Sequence, residues 1–515
     1  MTVQSLADPE PANARLARRW ATTAVACTGL LLIGVDGTVL NVAIPAMQRA
    51  LRPSTAEVQW TVDAFAVVMA GTVLAAGSLG DRIGRRRVFV TGLLLCAAAS
   101  VAGGAATNPA QMIASRVVQG AGCALMMPAT LSIIIDVFPE PHLRRRGIAV
   151  WAAVAGVGGL LGPVAGGWLV DHASWRAAFW SSMPIAVAAA ALAAWMVPES
   201  RDADASPLDH RGALLSTAGL SALVWAVVAG PRHGWTSPAV LAAFAGAAVL
   251  LTAFAVWQAR CRAPMLPLSL LRAPRVRLGL AVMALVSALV FGSVLILNLY
   301  MQGVLDYSAL RSGTRTLPAT AGMVVGAAIA LPLLNKLGRF GDRTAIVVGL
   351  TTLAAAFALL ATFTTASGYR ALAVYLVLLG TGAGVILAAG TEMVMAAFPG
   401  ERAGLGSALN DVTRQVGLAL GIAVQGSALS AVSAHRLHDL RGAVPDDDVN
   451  ALLAAAHVPG GPGPAAVAAA KDAFVHGMTR CALAGAVLVG AAAVPVAWSM
   501  ARTLTTSREA RRARP

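Results

Sequence analysis

The sequence is short of charge. Asp, Glu, Lys and Arg make up 12% of its 515 residues, against roughly 25% in an ordinary soluble domain. A water-soluble chain of this length would divide into several domains, each needing a polar surface, and there are too few polar side chains to supply one. Lysine is almost missing: Lys336 and Lys471 stand beside 37 arginines. That bias points to a GC-rich genome and so to a bacterium. Cysteine is sparse and odd in number, at positions 27, 96, 123, 261 and 481. No pair has metal-ligand or disulfide-framework spacing, so the thiols read as small apolar core residues. There is no phosphate-binding G-x-x-x-x-G-K-S/T, no nucleophile elbow and no metal-spaced His/Cys/Glu group. These absences argue against an enzyme and against a nucleotide, cofactor or metal. With no site for ATP, an ion gradient is left to drive any work.

Apolar residues are what the chain has, 57% of the total. They gather in fourteen runs near the ~20 residues that cross a bilayer. The runs lie at about 20–46, 57–79, 88–106, 112–135, 147–170, 178–197, 213–230, 238–258, 278–300, 315–335, 344–364, 371–394, 403–432 and 475–500. Run length favours helices over a barrel, whose strands need only about 10 alternating residues. A helix also bonds each backbone group within its own segment, as lipid requires. Lys and Arg set the orientation. With the N-terminus inside, inner loops and tails carry 26, outer loops carry 11, and Arg116 and Arg414 lie within helices. Both termini are therefore expected in the cytoplasm of a bacterial cell, with the chain crossing the plasma membrane many times. The net charge of +15 reads as this topology signal, spread over many loops, and not as a nucleic-acid surface. Trp20, Trp60, Trp168, Trp175, Trp195, Trp235, Trp257 and Trp498 fall near run ends, at headgroup level. The basic start followed by an apolar stretch has the form of a signal peptide. The apolar run continues through "VDGTVLNVAIPAM", which favours an uncleaved first helix. Residues 1–14 read as disordered.

The chain echoes itself. "GGLLG" at 158–162 and "GLALG" at 417–421 share G-x-x-x-G. The loop "GSLGDRIGRRR" at 77–87 has a degenerate counterpart, "NKLGRFGDR", at 335–343. Both matches align if runs 9–14 repeat runs 1–6, with runs 7 and 8 an inserted pair. Two six-helix halves around a cavity is a transporter architecture. The expected divisions are a tail at 1–19, a first bundle at 20–197, a linker with two inserted helices at 198–277, a second bundle at 278–500 and a basic tail at 501–515. A loop at 433–474 lies outside, with a short helix expected near 464–474.

Four motifs carry a resemblance. The loop with Gly77, Leu79, Asp81, Arg82, Gly84, Arg85 and Arg86 resembles the helix 2–3 signature of the major facilitator superfamily. "RVVQGAGCA", with Arg116, Gln119, Gly120 and Gly122, resembles its helix 4 motif. "GVDGTVLNVAIP" at 34–45 is similar to the helix 1 signature of its drug:proton antiporters, and "GGLLGPVAGG" at 158–167 to their helix 5 antiporter motif. The fourteen runs point to the fourteen-helix branch. The resemblance spans nearly the whole chain. It implies an all-α major facilitator fold, two six-helix bundles plus two extra helices, acting as a monomer. It implies a secondary exporter of small lipophilic or cationic drugs or antibiotics, exchanged for protons by alternating access. A proton-coupled importer of a small metabolite is the alternative, against which the helix 5 motif argues. A non-transporting polytopic membrane protein is a more distant one.

Charges inside a bilayer are expensive and usually functional. Asp36, Asp63 and Arg116 fall roughly 15, 9 and 7 Å in from the outer surface at 1.5 Å per residue. They are expected to serve proton exchange and cationic substrate, with Arg116 tuning the carboxylates; the resemblance implies the same for acids on helices 1 and 2. Glu392, near the inner end of run 12, is a weaker candidate. Asp411 and Arg414, at i and i+3, are placed to pair on one helix. In the loop, Gly77, Gly80 and Gly84 permit a tight connection. Asp81 can face a helix N-terminus or a cation, and Arg85 or Arg86 can reach Asp136. If the resemblance holds, these contacts gate the transport cycle. Gly158, Gly162 and Gly166 form a bare strip on run 5 that lets a helix approach closely. With Gly167, and with Pro163 bending the helix, the strip is expected to pack as a pliable seam between the two halves.

Overall fold

The computed structural model describes residues 12–201, 209–262, 264–266, 268–337, 341–398, 402–441, 449, 453 and 463–512. Among these residues every regular element is a helix, and there is no strand. The first series runs α1 (Ala12–Leu51), α2 (Thr55–Ile83), α3 (Arg85–Ala105), α4 (Pro109–Val137), α5 (Pro141–His172), α6 (Trp175–Trp180) and α7 (Ser182–Met196). A hairpin follows, α8 (His210–His233) and α9 (Pro238–Arg260), then a short α10 (Leu268–Arg272). The second series is α11 (Pro274–Leu299), prolonged by a π-helical turn at Tyr300–Val304, then α12 (Ala309–Arg315), α13 (Leu317–Lys336), α14 (Gly341–Leu360), α15 (Tyr369–Met395), α16 (Ala403–Arg441) and α17 (Pro464–Arg512).

Local chemistry sets the helix starts. Ser54 and Glu57 form a reciprocal capping box ahead of α2, each satisfying a backbone N–H that the first turn leaves over. Asn108, Ser174, Ser237 and Ser308 cap α4, α6, α9 and α12 with side-chain oxygens. Proline opens α4, α5, α9 and α11, where its missing N–H has no helical partner to lose. A single residue, Gly84, joins α2 to α3 at φ +119°, a conformation that a Cβ resists.

Twelve helical stretches among the described residues are long and apolar enough to cross a membrane. The tally does not include α1 and α5, of 40 and 32 residues, each containing side chains outside the description. Apolar surface confirms the solvent. Leu214, Val249, Val487 and Val494 are 65–70% exposed, which a water-facing surface avoids in such density.

Several sequence expectations change. The expected tail at 1–19 is helical from Ala12, as is 501–512. Run 6 is two helices, broken at Ser181. The short helix expected near 464–474 is the first part of α17, which continues unbroken. Of the loop at 433–474, positions 433–441 belong to α16, and 442–448, 450–452 and 454–462 lie outside the described residues.

Packing repeats between the two series. In the first, α1 lies on α5, α2 on α4, and α3 on both α4 and α7; in the second, α11 lies on α16, α13 on α15, and α14 on both α15 and α17. One core cluster runs from Val282 to Val496, and another from Val25 to Val197 with Met395 and Ala403 added. Helix association in lipid relies on close approach more than on water exclusion. Gly92 of α3 illustrates it: a Cβ there would sit 2.7 Å from the Gly122 carbonyl oxygen of α4. The two series meet where α2 packs on α16 and α5 on α13. The hairpin leans on this junction, α8 touching α2 and α16 while α9 touches mainly α8.

Asp209 holds that hairpin together. Its carboxylate accepts the Gly212 amide at 2.8 Å, capping α8, and Trp257 Nε1 and Gln258 Nε2 of α9 at 2.8 and 2.7 Å. Burial alone would raise its pKa, but these hydrogen bonds outweigh burial and hold the carboxyl below its ordinary value. A depressed folded-state value stabilises above the unfolded pKa and is lost as pH falls through the folded one. Asp209→Ala is expected to destabilise the hairpin by about 1–3 kcal/mol. Thermal unfolding in detergent checks this: the gap between variant and parent should be full at neutral pH and close below about pH 4.

Candidate functional site

The ends of the two series are clasped on the face that carries both ends of the described chain. Gly77 of α2 lies so near α16 that a Cβ would meet Ala408 Cβ and the Gly404 carbonyl oxygen, both at 2.5 Å. One turn on, the Asp81 carboxylate accepts the backbone N–H groups of Gly404 and Leu405 at 2.8 and 2.9 Å. These are leftover donors of the first turn of α16, so α2 supplies in trans the acceptor that a local cap would give. The carboxylate also suits the positive end of the helix dipole. Arg85, whose side chain is 2% exposed, bridges Asp81 at 3.0 Å and Asp136 of α4 at 3.3 Å. Arg86 and Arg87 turn to Glu199, 3.6 and 3.5 Å away.

A second clasp joins α5 to α15 on the same face. Glu392 is buried, and its Oε1 receives Arg144 at 3.2 Å and Arg145 at 3.4 Å. Arg145 also donates to Asn335 of α13 at 2.9 Å. Glu392 is therefore a buried bridging residue. Arg144 and Arg145, counted in the sequence only as orientation signals, supply the other half of the bridge.

Deeper in the first series, Asp36 is 2% exposed. Its Oδ1 accepts Ser182 Oγ at 2.7 Å, and its Oδ2 has no hydrogen-bond partner. Arg116 of α4 lies within electrostatic reach of it, donating to the Thr61 carbonyl and the Gln119 side chain. The guanidinium sits 4.3 Å over the Phe65 ring. The thiols of Cys96 and Cys123 join the group, 3.6 Å apart, although their spacing in the chain carried no sign of a cluster. Asp63 does not belong to it. It lies at the far end of α2 and pairs with Arg232 of α8 at 2.7 Å, so the expected trio is a buried pair plus a separate, half-exposed one. Asp411 and Arg414 pair at 3.5 Å within α16. Arg414 also stacks over Trp151 of α5, 5.3 Å from its ring, so it reaches the other series.

The family described as Major Facilitator Superfamily matches residues 26–422, from α1 through the clasped junction into α16. This chain belongs to that superfamily. It is similar to the multidrug efflux pump LfrA of Mycolicibacterium smegmatis, 32% identical over 93% of this chain and 96% of that one. It is also similar to the tetracenomycin C resistance and export protein of Streptomyces glaucescens, 31% identical over 82% and 78%. The puromycin resistance protein pur8 of Streptomyces alboniger is 34% identical over 82% and 84%. The fold matches that of the human organic anion transporter MFSD10 (TETRAN), with a TM-score of 0.58 at 16% identity, covering 93% of this chain and 100% of that one. The protein is a multi-pass plasma-membrane member of the superfamily.

For this superfamily member the helix 5 glycines need a correction. Gly158 and Gly166 face α1 of their own series, not the opposite one. A Cβ on Gly158 would approach the Leu31 carbonyl oxygen at 3.1 Å, and one on Gly166 would strike Val39 Cγ2 at 2.5 Å. Gly162 and Gly167 are buried as well; the side chain of Pro163 lies outside the described residues. At Gly158 and Gly166 two neighbours of one series approach closely, and α5 also packs on α13. Gly166→Leu is therefore expected to act first on folding, costing about 1–3 kcal/mol by overpacking. A fluorescence-detected thermal unfolding curve should show the midpoint lowered, before any transport assay.

Proposed function

We propose that the protein is a secondary exporter of small lipophilic or cationic drugs or antibiotics, exchanged for protons, with fourteen membrane helices and both termini cytoplasmic. Two six-helix bundles, α1–α7 and α11–α17, rock against each other about a central site as a monomer, and α8–α9 is an accessory pair. The observation that carries the reading is the buried Asp36 carboxylate, one oxygen unpartnered, set in the membrane interior beside Arg116. A charge held there at such expense suits a proton carrier better than a structural pair. The export direction draws on the relatives, whose names speak of efflux, export and resistance, and on the helix 5 motif. The termini-face clasps, Asp81 on α16 and Arg144/Arg145 on Glu392, hold the cytoplasmic side shut and must open for drug to enter. That alternation is a rigid-body repacking. No nucleotide or cofactor takes part; the proton gradient supplies the work.

The test is expression in a pump-deficient bacterial host against a panel of dyes and antibiotics, with and without a proton uncoupler. Lower accumulation of some compounds, restored by the uncoupler, supports the reading. Higher accumulation of a substrate would favour import, and equal accumulation across a broad panel removes drug export.

A further inference from the structure

The two thiols beside Asp36 have no part in this exchange. Cys96 of α3 and Cys123 of α4 are 1% and 0% exposed. Their Sγ atoms and an Asp36 carboxylate oxygen all lie within 4.8 Å of one another. The carboxylate is itself 2% exposed and keeps one oxygen without a hydrogen-bond partner. A tetrahedral ion with metal–sulfur bonds of about 2.3 Å holds two sulfurs about 3.8 Å apart, and a sulfur and a carboxylate oxygen about 3.5 Å apart. The sulfurs already stand at 3.6 Å, and the carboxylate oxygen, within 4.8 Å of both, closes the triangle by coming to about 3.5 Å. Ser182, on the other carboxylate oxygen, is placed to orient that ligand from behind.

Charge balance points the same way. Two thiolates and a carboxylate carry three negative charges. A divalent cation together with the Arg116 guanidinium, in electrostatic reach of all three groups, carries three positive ones. A membrane interior tolerates a neutral assembly and resists an unbalanced one. Thiolate ligands select zinc-like and softer ions over magnesium and calcium.

We propose that Asp36, Cys96 and Cys123 form a binding site for a borderline or soft divalent cation of the zinc and cadmium class. Binding displaces the two thiol protons to solution and leaves a fourth ligand position for water. It goes beyond the export reading and bears on the same carboxylate: a cation bound there holds Asp36 ionised and so blocks proton exchange, while binding itself is tested without transport.

The experiment is titration of the purified full chain in detergent with Cd2+, whose bonds to thiolate absorb in the ultraviolet. The expected result is one Cd2+ per chain with that absorption. Cys96→Ser and Cys123→Ser should each abolish it, and Asp36→Asn should weaken binding tenfold or more. Alanine at the two cysteines replaces serine if a buried hydroxyl prevents folding, judged by size-exclusion profile. An unchanged titration in the double-cysteine variant, or no thiolate absorption in the parent, overturns the site.

Discussion

Asp36→Asn is expected to abolish proton-driven efflux, to the level of cells lacking the protein, while the variant reaches the membrane in normal amount. The substitution keeps size and keeps an oxygen for Ser182, which donates to Asp36 at 2.7 Å. What it removes is the ability to gain and lose a proton. Arg116 is not orphaned, because the Thr61 carbonyl, the Gln119 side chain and the Phe65 ring still face its guanidinium. The loss in stability should therefore stay within about 1–3 kcal/mol, which thermal unfolding of the purified variant measures. Efflux of a substrate dye from loaded cells gives the functional half. Asp36→Glu should recover part of it, since a carboxylate returns one methylene displaced.

The second large effect is expected at Asp81. Asp81→Ala strips the acceptor from the Gly404 and Leu405 amides and removes the Asp81 partner of Arg85, whose contact with Asp136 remains. The Arg85 pair lies within the first series, but the two hydrogen bonds from α16 to the Asp81 carboxylate, about 1.5–3 kcal/mol each, are lost only from the arrangement in which α2 meets α16. The populations should shift by roughly 10²-fold or more toward the arrangement open at that face. A cysteine placed at Ala408, which is fully buried at the seam, reports it. Labelling of Ala408→Cys by a membrane-impermeant maleimide from the termini face should rise at least tenfold when Asp81→Ala is added. Unchanged labelling would show that Asp81 does not hold this face shut. Efflux should fall as well, because a carrier biased to one side cycles slowly.

Much of the architecture is legible because the physics behind it is local. A bilayer imposes run length, so the apolar runs locate the helices; basic residues at loop ends suggest an orientation. The loop at 77–87 is legible for the same reason: a one-residue connection at positive φ calls for Gly84, and an acid one turn before it ends a helix beside another. What periodicity cannot supply is the neighbour. The spacing of Gly158, Gly162 and Gly166 defines a bare face, but the same face suits α1 or the opposite series, and α1 occupies it at Gly158 and Gly166. Asp63 meets Arg232 across 169 positions, and Glu392 meets Arg144 across 248. Each residue looks like a lone charge in the sequence. The only signal available was unmatched charge in a segment too apolar to bear it. Cys96 and Cys123 gave less still, since 27 positions separate them and they sit on different helices. Helix ends blurred for a further reason. In α1 and α17 the backbone stays helical past the apolar run into basic sequence, where composition stops reporting on the helix.

In the proposed cycle a proton moving through Asp36 drives drug across the membrane. Purified protein in sealed vesicles, acid inside and loaded with a pH-sensitive dye, tests it most directly when a cationic substrate is added outside. The expected result is substrate accumulation above equilibrium with accelerated loss of internal protons, and neither with Asp36→Asn or an uncoupler. Accumulation by Asp36→Asn equal to the parent, or substrate movement with no change in internal pH, would contradict it.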